Sequence, residues 1–499
     1  MLGDVTLIRS IAILCALGSA PAALAGPVHQ PAGANLTYGN VTHGQRVLSA
    51  TSNPAAAAAN VAGGAKSATG TVLSIGAGIE YGNLDEIFET IDELSAAFAP
   101  SDSGDGDSGG TGPDGDDPVP VNPKEPIDIG NIVDTLFPDF EKVVDSIATE
   151  VATRAAILAL IAAEGHAKAY ASADAPFVIG NEVLGGAWTF GVNWSGTAKA
   201  VGLAQPIAFN AEQALAELTA IYDASLPADG LPRLYDLSGD VNVFIDQATG
   251  NYGINFANDS SFLTKAAQTL EVSLGYSWLA QKTAKGSLFL GVEGNFYDLA
   301  LSRVSVRFGD ITDSEDVFDA IRDSDFEYDQ GIGIDLGVLW AGPGYQVGAT
   351  LNNLNEPKFE YPEIDLSNYS NSDIISFLQR DRTYTMERQL RLEGSYFTEN
   401  RNWTFNIGLD ANEIKDPVGD EFQWLTVSAG YATESWWVPG LRFGYRENLA
   451  GTRLRYFGVG ATVFRILNID LASTLDRVTI NDEDLPRGLA ASIGFDISF

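Results

Sequence analysis

Charged side chains occupy alternate positions in several otherwise apolar segments of this sequence. Such side chains could line a path for polar solutes, or they could pair with one another and fill an interior. An arginine among an acidic majority is compatible with both arrangements, so the residue types leave both open. The candidate residues are Glu271, Glu293, Asp335, Arg391, Glu393, Asp410 and Asp470.

Histidine and cysteine are too scarce to favour catalysis. Of the three histidines, His29 and His43 lie in an N-terminal tract, and His166 precedes the segments with alternating apolar residues. A Ser–His or His–metal site needs such side chains held together. Carboxylate pairs are abundant, but an acidic surface explains them more simply than an aspartate-based enzyme does. We therefore expect no enzymatic activity and no cofactor.

One acidic tract has features of calcium-binding loops. Residues 102–117 combine closely spaced aspartates with glycines, which could wrap oxygen ligands around an ion. The tract has no regular repeat, and no glutamate stands where an EF-hand loop closes. A solvated linker is the favoured interpretation, so no metal site is predicted, although calcium binding there stays open.

The composition excludes several classes of protein. The 499 residues include 29 Lys+Arg and 66 Asp+Glu, which gives a net charge of −37. A nucleic-acid partner is disfavoured because it requires a basic face. The single cysteine, Cys15, excludes a disulfide scaffold, and 45% hydrophobic residues disfavour disorder.

The candidate charged residues lie on segments that alternate between apolar and polar or small residues. At the C-terminus, Leu489, Ala491, Ile493, Phe495, Ile497 and Phe499 alternate with small or polar residues. This period of two predicts β-strands with one apolar face. About twelve to fifteen such segments follow residue 175, and inserted helices are predicted near 210–223, 313–322 and 371–380.

A transmembrane antiparallel β-barrel of about 14 strands explains this pattern better than a soluble β-protein. The segments are about 9–12 residues long, which suits a tilted crossing of the bilayer. Tryptophans near strand ends suit interfacial girdles. These are Trp188, Trp194, Trp278, Trp340, Trp424, Trp436 and Trp437. The final strand, with Phe495 and Phe499, resembles the signal read by the barrel assembly machinery. Lipid of the outer membrane and that machinery are therefore the expected partners.

The N-terminal part of the chain divides by composition. Residues 1–25 have the charged start, short apolar core and small residues of an export signal, which predicts a Gram-negative outer-membrane destination and a mature chain without cysteine. Residues 26–174 form an N-terminal region, and residues 175–499 form the barrel. Within the N-terminal region we predict the following elements: a strand over 71–81, helices over 84–98 and 127–169, and an Asp/Gly-rich linker over 100–124.

Several segments together resemble a known family. They are Asn53-Pro54-Ala55-Ala56-Ala57, the segment 73–82, Gly309–Ser314, Tyr384–Gln389, Ala429–Thr433 and Leu471–Leu475. The ensemble is similar to the proteobacterial outer-membrane family called conjugal transfer protein TraF, and the Asn-Pro-Ala-Ala start is similar to FadL-like transporters of hydrophobic compounds. The resemblance implies an N-terminal hatch that plugs the lumen, formed either by residues 26–69 or by the helices 84–98 and 127–169, and we place Asn53 and Pro54 near its base.

The leading functional prediction is an outer-membrane barrel that binds or passes small hydrophobic or amphipathic molecules. The alternative is a non-transporting envelope component that supports conjugation or a secretion assembly. A soluble secreted β-protein is the third interpretation.

Overall fold

A computed structural model describes most of the chain from residue 166 onwards and short parts of the chain before it. The described residues are 31–42, 51–62, 69–82, 144–145, 147–149, 151–152, 155, 166–223, 233–246, 251–307, 324–380, 382–433, 435–480 and 483–498. The predicted signal 1–25, the helix 84–98, the linker 100–124 and the helix near 313–322 lie outside them. Of the helices in the described ranges, none is both long enough and apolar enough to cross a bilayer.

Fourteen antiparallel strands form a closed barrel, as the sequence predicted. In chain order these strands are β1 (Gly70–Tyr81), β2 (His166–Asp174), β4 (Gly186–Leu203), β8 (Ser261–Thr283), β9 (Gly286–Arg307), β10 (Glu327–Ala341), β11 (Tyr345–Asn352), β14 (Gln389–Phe397), β15 (Trp403–Asp410), β18 (Trp424–Tyr431), β19 (Gly440–Asn448), β20 (Arg455–Val463), β21 (Leu467–Thr474) and β24 (Gly488–Ser498). The first and last strands pair from Gly70 with Ser498 to Glu80 with Gly488, which closes the sheet.

The second barrel strand is interrupted. Strand β3 (Phe177–Val183) continues β2 after a break at Ala175-Pro176, and both pieces pair with β1 on one side and β4 on the other. Proline has no backbone N–H and cannot donate to a sheet ladder. The barrel wall is therefore discontinuous at this point, although its neighbours remain in place.

The remaining elements lie in connections at one end of the barrel. They are α3 (Ala211–Asp223), β5 (Arg233–Ser238), β6 (Val241–Asp246), β7 (Asn251–Phe256), β12 (Lys358–Glu360), α4 (Ser372–Arg380), β13 (Thr383–Thr385), β16 (Ile414–Lys415), β17 (Glu421–Phe422), β22 (Arg477–Ile480) and β23 (Glu483–Pro486). We call this the loop end. The opposite end, with short connections such as 184–185 and 342–344, is the turn end. Helices α3 and α4 match the helices predicted near 210–223 and 371–380.

The outer face of the barrel is an apolar belt. Alternate residues point outward, and their exposed fractions are high, as for Ile332 (62%), Ile407 (53%) and Leu471 (54%). Aromatic rings border the belt at the turn end. Trp188 lies 4.9 Å from Tyr276, and Trp403 lies 5.0 Å from Tyr431. This arrangement suits a surface that faces lipid between interfacial girdles.

Two short helices precede the barrel and lie inside it. They are α1 (Asn35–Tyr38) and α2 (Ala56–Ala62). Helix α1 contacts β18, β19, β20 and β21, and α2 contacts β3, β4, β8, β9 and β10. We call residues 31–42 and 51–62 the hatch. Residues 55–57 are fully buried, so the hatch fills part of the lumen.

The barrel begins at residue 70, not at residue 175 as the sequence pattern predicted. The strand 71–81 was predicted, but its pairing with the last strand is not visible locally. The predicted helix 127–169 is wrong at its end, because His166–Asp174 is a strand. Its alternate alanines favour a helix locally, and pairing with β1 and β4 overrides that preference.

Candidate functional site

Glycines in the barrel wall allow the hatch to approach the strands closely. A Cβ at Gly291 would overlap the carbonyl of Pro54, and a Cβ at Gly337 would overlap the side-chain oxygen of Asn53. Gly444 has the same relation to the carbonyl of Thr37. These glycines face inward on different strands. The hatch therefore packs closely against the barrel wall both near α1 and near α2.

The predicted hatch motif is held by polar contacts. The Asn53 amide donates to Glu393 Oε1 at 2.7 Å and, at 3.3 Å, to the carbonyl oxygens of Val338 and Ala349. Its side-chain oxygen accepts from the Ala55 N–H at 2.9 Å. Asn53 is fully buried. It therefore links the start of α2 to three adjacent strands.

One side of the lumen is packed and its charges are paired. Arg442, between outward-facing Leu441 and Phe443, binds Asp470 through two hydrogen bonds of 3.1 and 2.7 Å. Neither side chain is more than 1% exposed. The Thr37 hydroxyl of the hatch donates to Asp470 Oδ1 at 2.6 Å, and Arg442 lies over the Tyr38 ring. We call this region, formed by α1 and β18–β21, the paired half.

Three other predicted residues lie at the border of the paired half. Arg391 Nε is 3.4 Å from Asp410 Oδ1, and Asp410 also accepts from the Trp424 N–H. Glu393 accepts from both the N–H and the hydroxyl of Thr42, at 2.5 and 2.9 Å, in addition to Asn53. These contacts are those of a bonded interior rather than of an open pore lining.

The other side of the lumen contains a cavity of about 220 Å³. Its wall comes from β2, β4, β8, β9, β10, β11 and β14, and its inner boundary comes from the hatch. The acidic residues that line it are Asp174, Glu271, Glu293 and Asp335, and Arg391 is the one basic residue in the lining that the structure describes. We call this region the open half.

The acidic groups of the open half are hydrogen-bonded but form no ion pair among the described residues. Glu271 accepts from Asn193 Nδ2 at 3.2 Å, and Glu293 accepts weakly from the Thr189 hydroxyl at 3.5 Å. Asp335 accepts from Asn295 Nδ2 at 3.0 Å and from the Asn353 N–H at 2.7 Å. The lumen therefore has both arrangements that the sequence left open, one on each side.

Folded connections cover the loop end of the lumen. Phe359, Tyr361 and Tyr384, from residues 353–388, pack against the inward faces of the long strands β8 and β9. The Tyr361 hydroxyl donates to the carbonyl of Pro417, which joins this connection to residues 411–423. The connection 411–423 also contributes Ile414 and Phe422 to the lining of the cavity, so the cavity lies between the hatch and this connection.

A buried ion cluster fixes the connection 411–423. Lys168 on β2 lies 2.5 Å from Asp416 and 2.9 Å from Asp420, and Lys199 on β4 also pairs with Asp420. Burial alone would raise the pKa of Asp420, but the two ammonium groups hold that pKa below its ordinary value. This cluster was not among the predicted residues.

Other predictions have mixed outcomes. Trp424 is not part of a girdle, because it points inward, is 7% exposed and stacks its ring under Arg446 at 4.3 Å. Trp424 is two residues before Thr426 and four before Ser428, so it points to the same inward side of the strand as these polar residues. The alternation in the sequence already contained this signal. Arg442 was missed although it alternates with apolar neighbours. Phe495 is outward-facing and 45% exposed, whereas Phe499, His29, His43 and the tract 102–117 lie outside the described residues.

Within the described ranges, no group of three or more His, Cys, Asp or Glu side chains is placed to hold a metal ion.

This chain matches one protein family, and it is similar to several solved structures at low sequence identity. Solved structures with similarity include the TodX deltaS2S3 mutant monoaromatic hydrocarbon channel, at 10% identity with a TM-score of 0.40, covering 94% of this chain and 99% of that chain. A Pseudomonas aeruginosa FadL homologue matches at 11% identity and a TM-score of 0.32, covering 96% and 98%. No curated protein matches.

The family comparison is much more informative. The family described as "F plasmid transfer operon, TraF, protein" matches residues 50–410, which is most of the chain and includes the hatch motif and nine of the fourteen barrel strands. The predicted family is therefore confirmed, and the chain belongs to this TraF family.

Proposed function

We propose that this protein is an outer-membrane barrel that binds small amphipathic molecules in its lumen and passes them when the hatch moves. The observation that carries the proposal is the cavity between the hatch and the wall of a barrel with an apolar outer belt. A purely structural barrel would gain stability from filling that space, because interiors pack densely.

The mixed lining of the cavity favours amphipathic over purely hydrophobic molecules. Pro54, Ile414 and Phe422 supply apolar surface, while carboxylates and amides supply hydrogen-bonding groups. Small-molecule sites combine apolar walls with a few placed polar groups in this way. The cavity volume suits a molecule smaller than the drug-sized ligands of typical pockets.

The membrane location is tested first. Cell fractionation should place the protein in the outer membrane, and unheated protein should migrate differently from heated protein on a gel because the closed barrel resists unfolding. Recovery as a soluble periplasmic protein would overturn the proposal. The outward position of Phe495 on the last strand supports assembly by the barrel machinery, and Phe495→Ala is expected to lower the outer-membrane yield.

Transport is tested next with purified protein in planar bilayers and in ligand-binding assays. We expect transient conductance and saturable binding of a small amphipathic probe. A protein that shows neither, while its deletion impairs mating, would instead be a non-transporting envelope component.

We also propose that the protein is not an enzyme. In support, His166, the one histidine that the structure describes, lies at the loop end, 3.3 Å from Arg487 and outside the cavity lining.

A further inference from the structure

The open half of the lumen has an imbalance of charge that the paired half does not have. Four carboxylates line the cavity, and the guanidinium of Arg391 is already bonded to Asp410. Anionic groups in an interior require a counter-charge, hydration or protonation. On the paired side the fold supplies the counter-charge itself through Arg442, and on the open side it leaves a space.

Two hatch residues in the lining of the same cavity have buried side-chain oxygens without hydrogen-bond partners. The side-chain oxygens of Asn35 and Ser52 have no hydrogen-bond partner, and their residues are 7% and 9% exposed. Both residues belong to the same lining as the carboxylates. Buried polar atoms are nearly always bonded, so unpartnered oxygens and unpaired acidic groups in one lining indicate a missing donor.

A third unpartnered group indicates what else the ligand carries. The amide nitrogen of Gln389, a residue 2% exposed in the same lining, has no acceptor. A ligand oxygen would satisfy it. An anionic ligand fits poorly, because the carboxylates would repel it and Arg391 is already paired.

We propose that the cavity binds a small organic amine, with its ammonium group between the hatch oxygens of Asn35 and Ser52 and the carboxylates of Glu271 and Glu293. An ammonium group has three hydrogen-bond donors and no acceptor, which matches a site of oxygen atoms. The body of the amine contacts the apolar part of the lining, and a neutral oxygen on it, where present, accepts from Gln389. This inference rests on the proposed function and specifies its ligand class.

Three probes with the same ring and different head groups test this inference: 2-phenylethylamine, 2-phenylethanol and 3-phenylpropanoate. Equilibrium dialysis against the full barrel in nanodiscs at neutral pH should show at least tenfold tighter binding of the amine than of the alcohol, and no binding of the anion. The variant Glu271→Gln/Glu293→Gln should lose at least tenfold in affinity for the amine and keep its affinity for the alcohol.

The matched control is Asp298→Asn. Asp298 lies on the same strand as Glu293 but on the opposite face, so its loss should leave amine binding unchanged. Each variant is first shown to retain the heat-dependent gel shift, which establishes that the barrel is folded. Equal binding of amine and alcohol, or unchanged amine binding in the double variant, would overturn the inference and leave the proposed function standing. Binding of none of the three probes would overturn both.

Discussion

The two halves of the lumen use similar residues differently. In the paired half, Asp470 on β21 meets the guanidinium of Arg442 on β19 across Gly460, and a hatch hydroxyl completes its bonds. In the open half, Glu271 and Glu293 meet only an amide and a hydroxyl beside a cavity. The comparison shows that an inward carboxylate supports the fold where a cation faces it, and borders an unfilled space where none does.

The largest expected effect is that of breaking the buried pair. Arg442→Met leaves Asp470 as an uncompensated charge, and such changes cost about 3–5 kcal/mol. The free energy of unfolding, measured by denaturant titration of the barrel in lipid, should fall by that amount. Glu271→Gln, the corresponding change in the open half, should alter it by less than ~1 kcal/mol. Equal effects of the two variants would remove the distinction between the halves.

The contact of the hatch with the wall is tested by two glycines of β9 on opposite faces. Gly291→Ala would place a Cβ against the carbonyl of Pro54, whereas a Cβ at Gly294 meets nothing within 4 Å. Overpacking costs about 1–3 kcal/mol. We expect Gly291→Ala to destabilise the hatch and increase conductance in planar bilayers, and Gly294→Ala to match the unsubstituted protein. If both variants conduct alike, the hatch does not seat on this strand.

Adjacent hatch residues allow a comparison of bonded and unbonded polar groups. Asn53→Ala removes four hydrogen bonds and leaves buried partners unsatisfied, so a loss of about 1–3 kcal/mol is expected. Ser52→Ala removes a hydroxyl that has no partner, so stability should be unchanged. Stability and uptake that are both unaffected by Asn53→Ala would contradict its predicted role at the base of the hatch.

The smallest expected effect is the loss of local stability of the connection 411–423 at acidic pH. Because Lys168 and Lys199 depress the pKa of Asp420, its ionised form stabilises the connection 411–423. That contribution is complete above the ordinary pKa of 3.8 and decreases as pH falls below it towards the lower pKa of the folded protein. The protection factors of the amides of residues 411–423, which are exchange rates corrected for the intrinsic dependence on pH, should therefore be steady from pH 7 to about pH 5 and fall only below about pH 4. Asp420→Asn should exchange faster at neutral pH and lose this acid dependence. An unchanged profile in Asp420→Asn would exclude the cluster as the anchor.

The sequence predicted the features that depend on local alternation. The strands, their apolar belt and helices α3 and α4 follow from the period of two and from helical spacing. Features that depend on distant pairing were not predictable. The closure of β1 on β24 joins residues at opposite ends of the chain, and β2 consists of alanine-rich residues that favour a helix.

The lumen was predictable only in part. Alternation identified Glu271, Asp335 and Asp470 as candidates, but it could not show which of them faces a cation. Assigning every second residue of each strand to the inner face would also have identified Arg442 and the inward Trp424. The partner of each inward group depends on shear between strands and on the hatch, neither of which has a local signature.

The most direct test of a hatch that closes the barrel and moves to open it is a reversible lock. Ser277 Oγ on β8 accepts from the Ala58 N–H of the hatch at 3.0 Å, so these two neighbouring residues are the positions chosen for a pair of cysteines. The only native cysteine, Cys15, lies in the predicted signal. In planar bilayers, Ala58→Cys/Ser277→Cys should be silent when oxidised and show transient openings when reduced, whereas each single variant should conduct in both conditions. Identical conductance of the oxidised and reduced double variant would contradict the account.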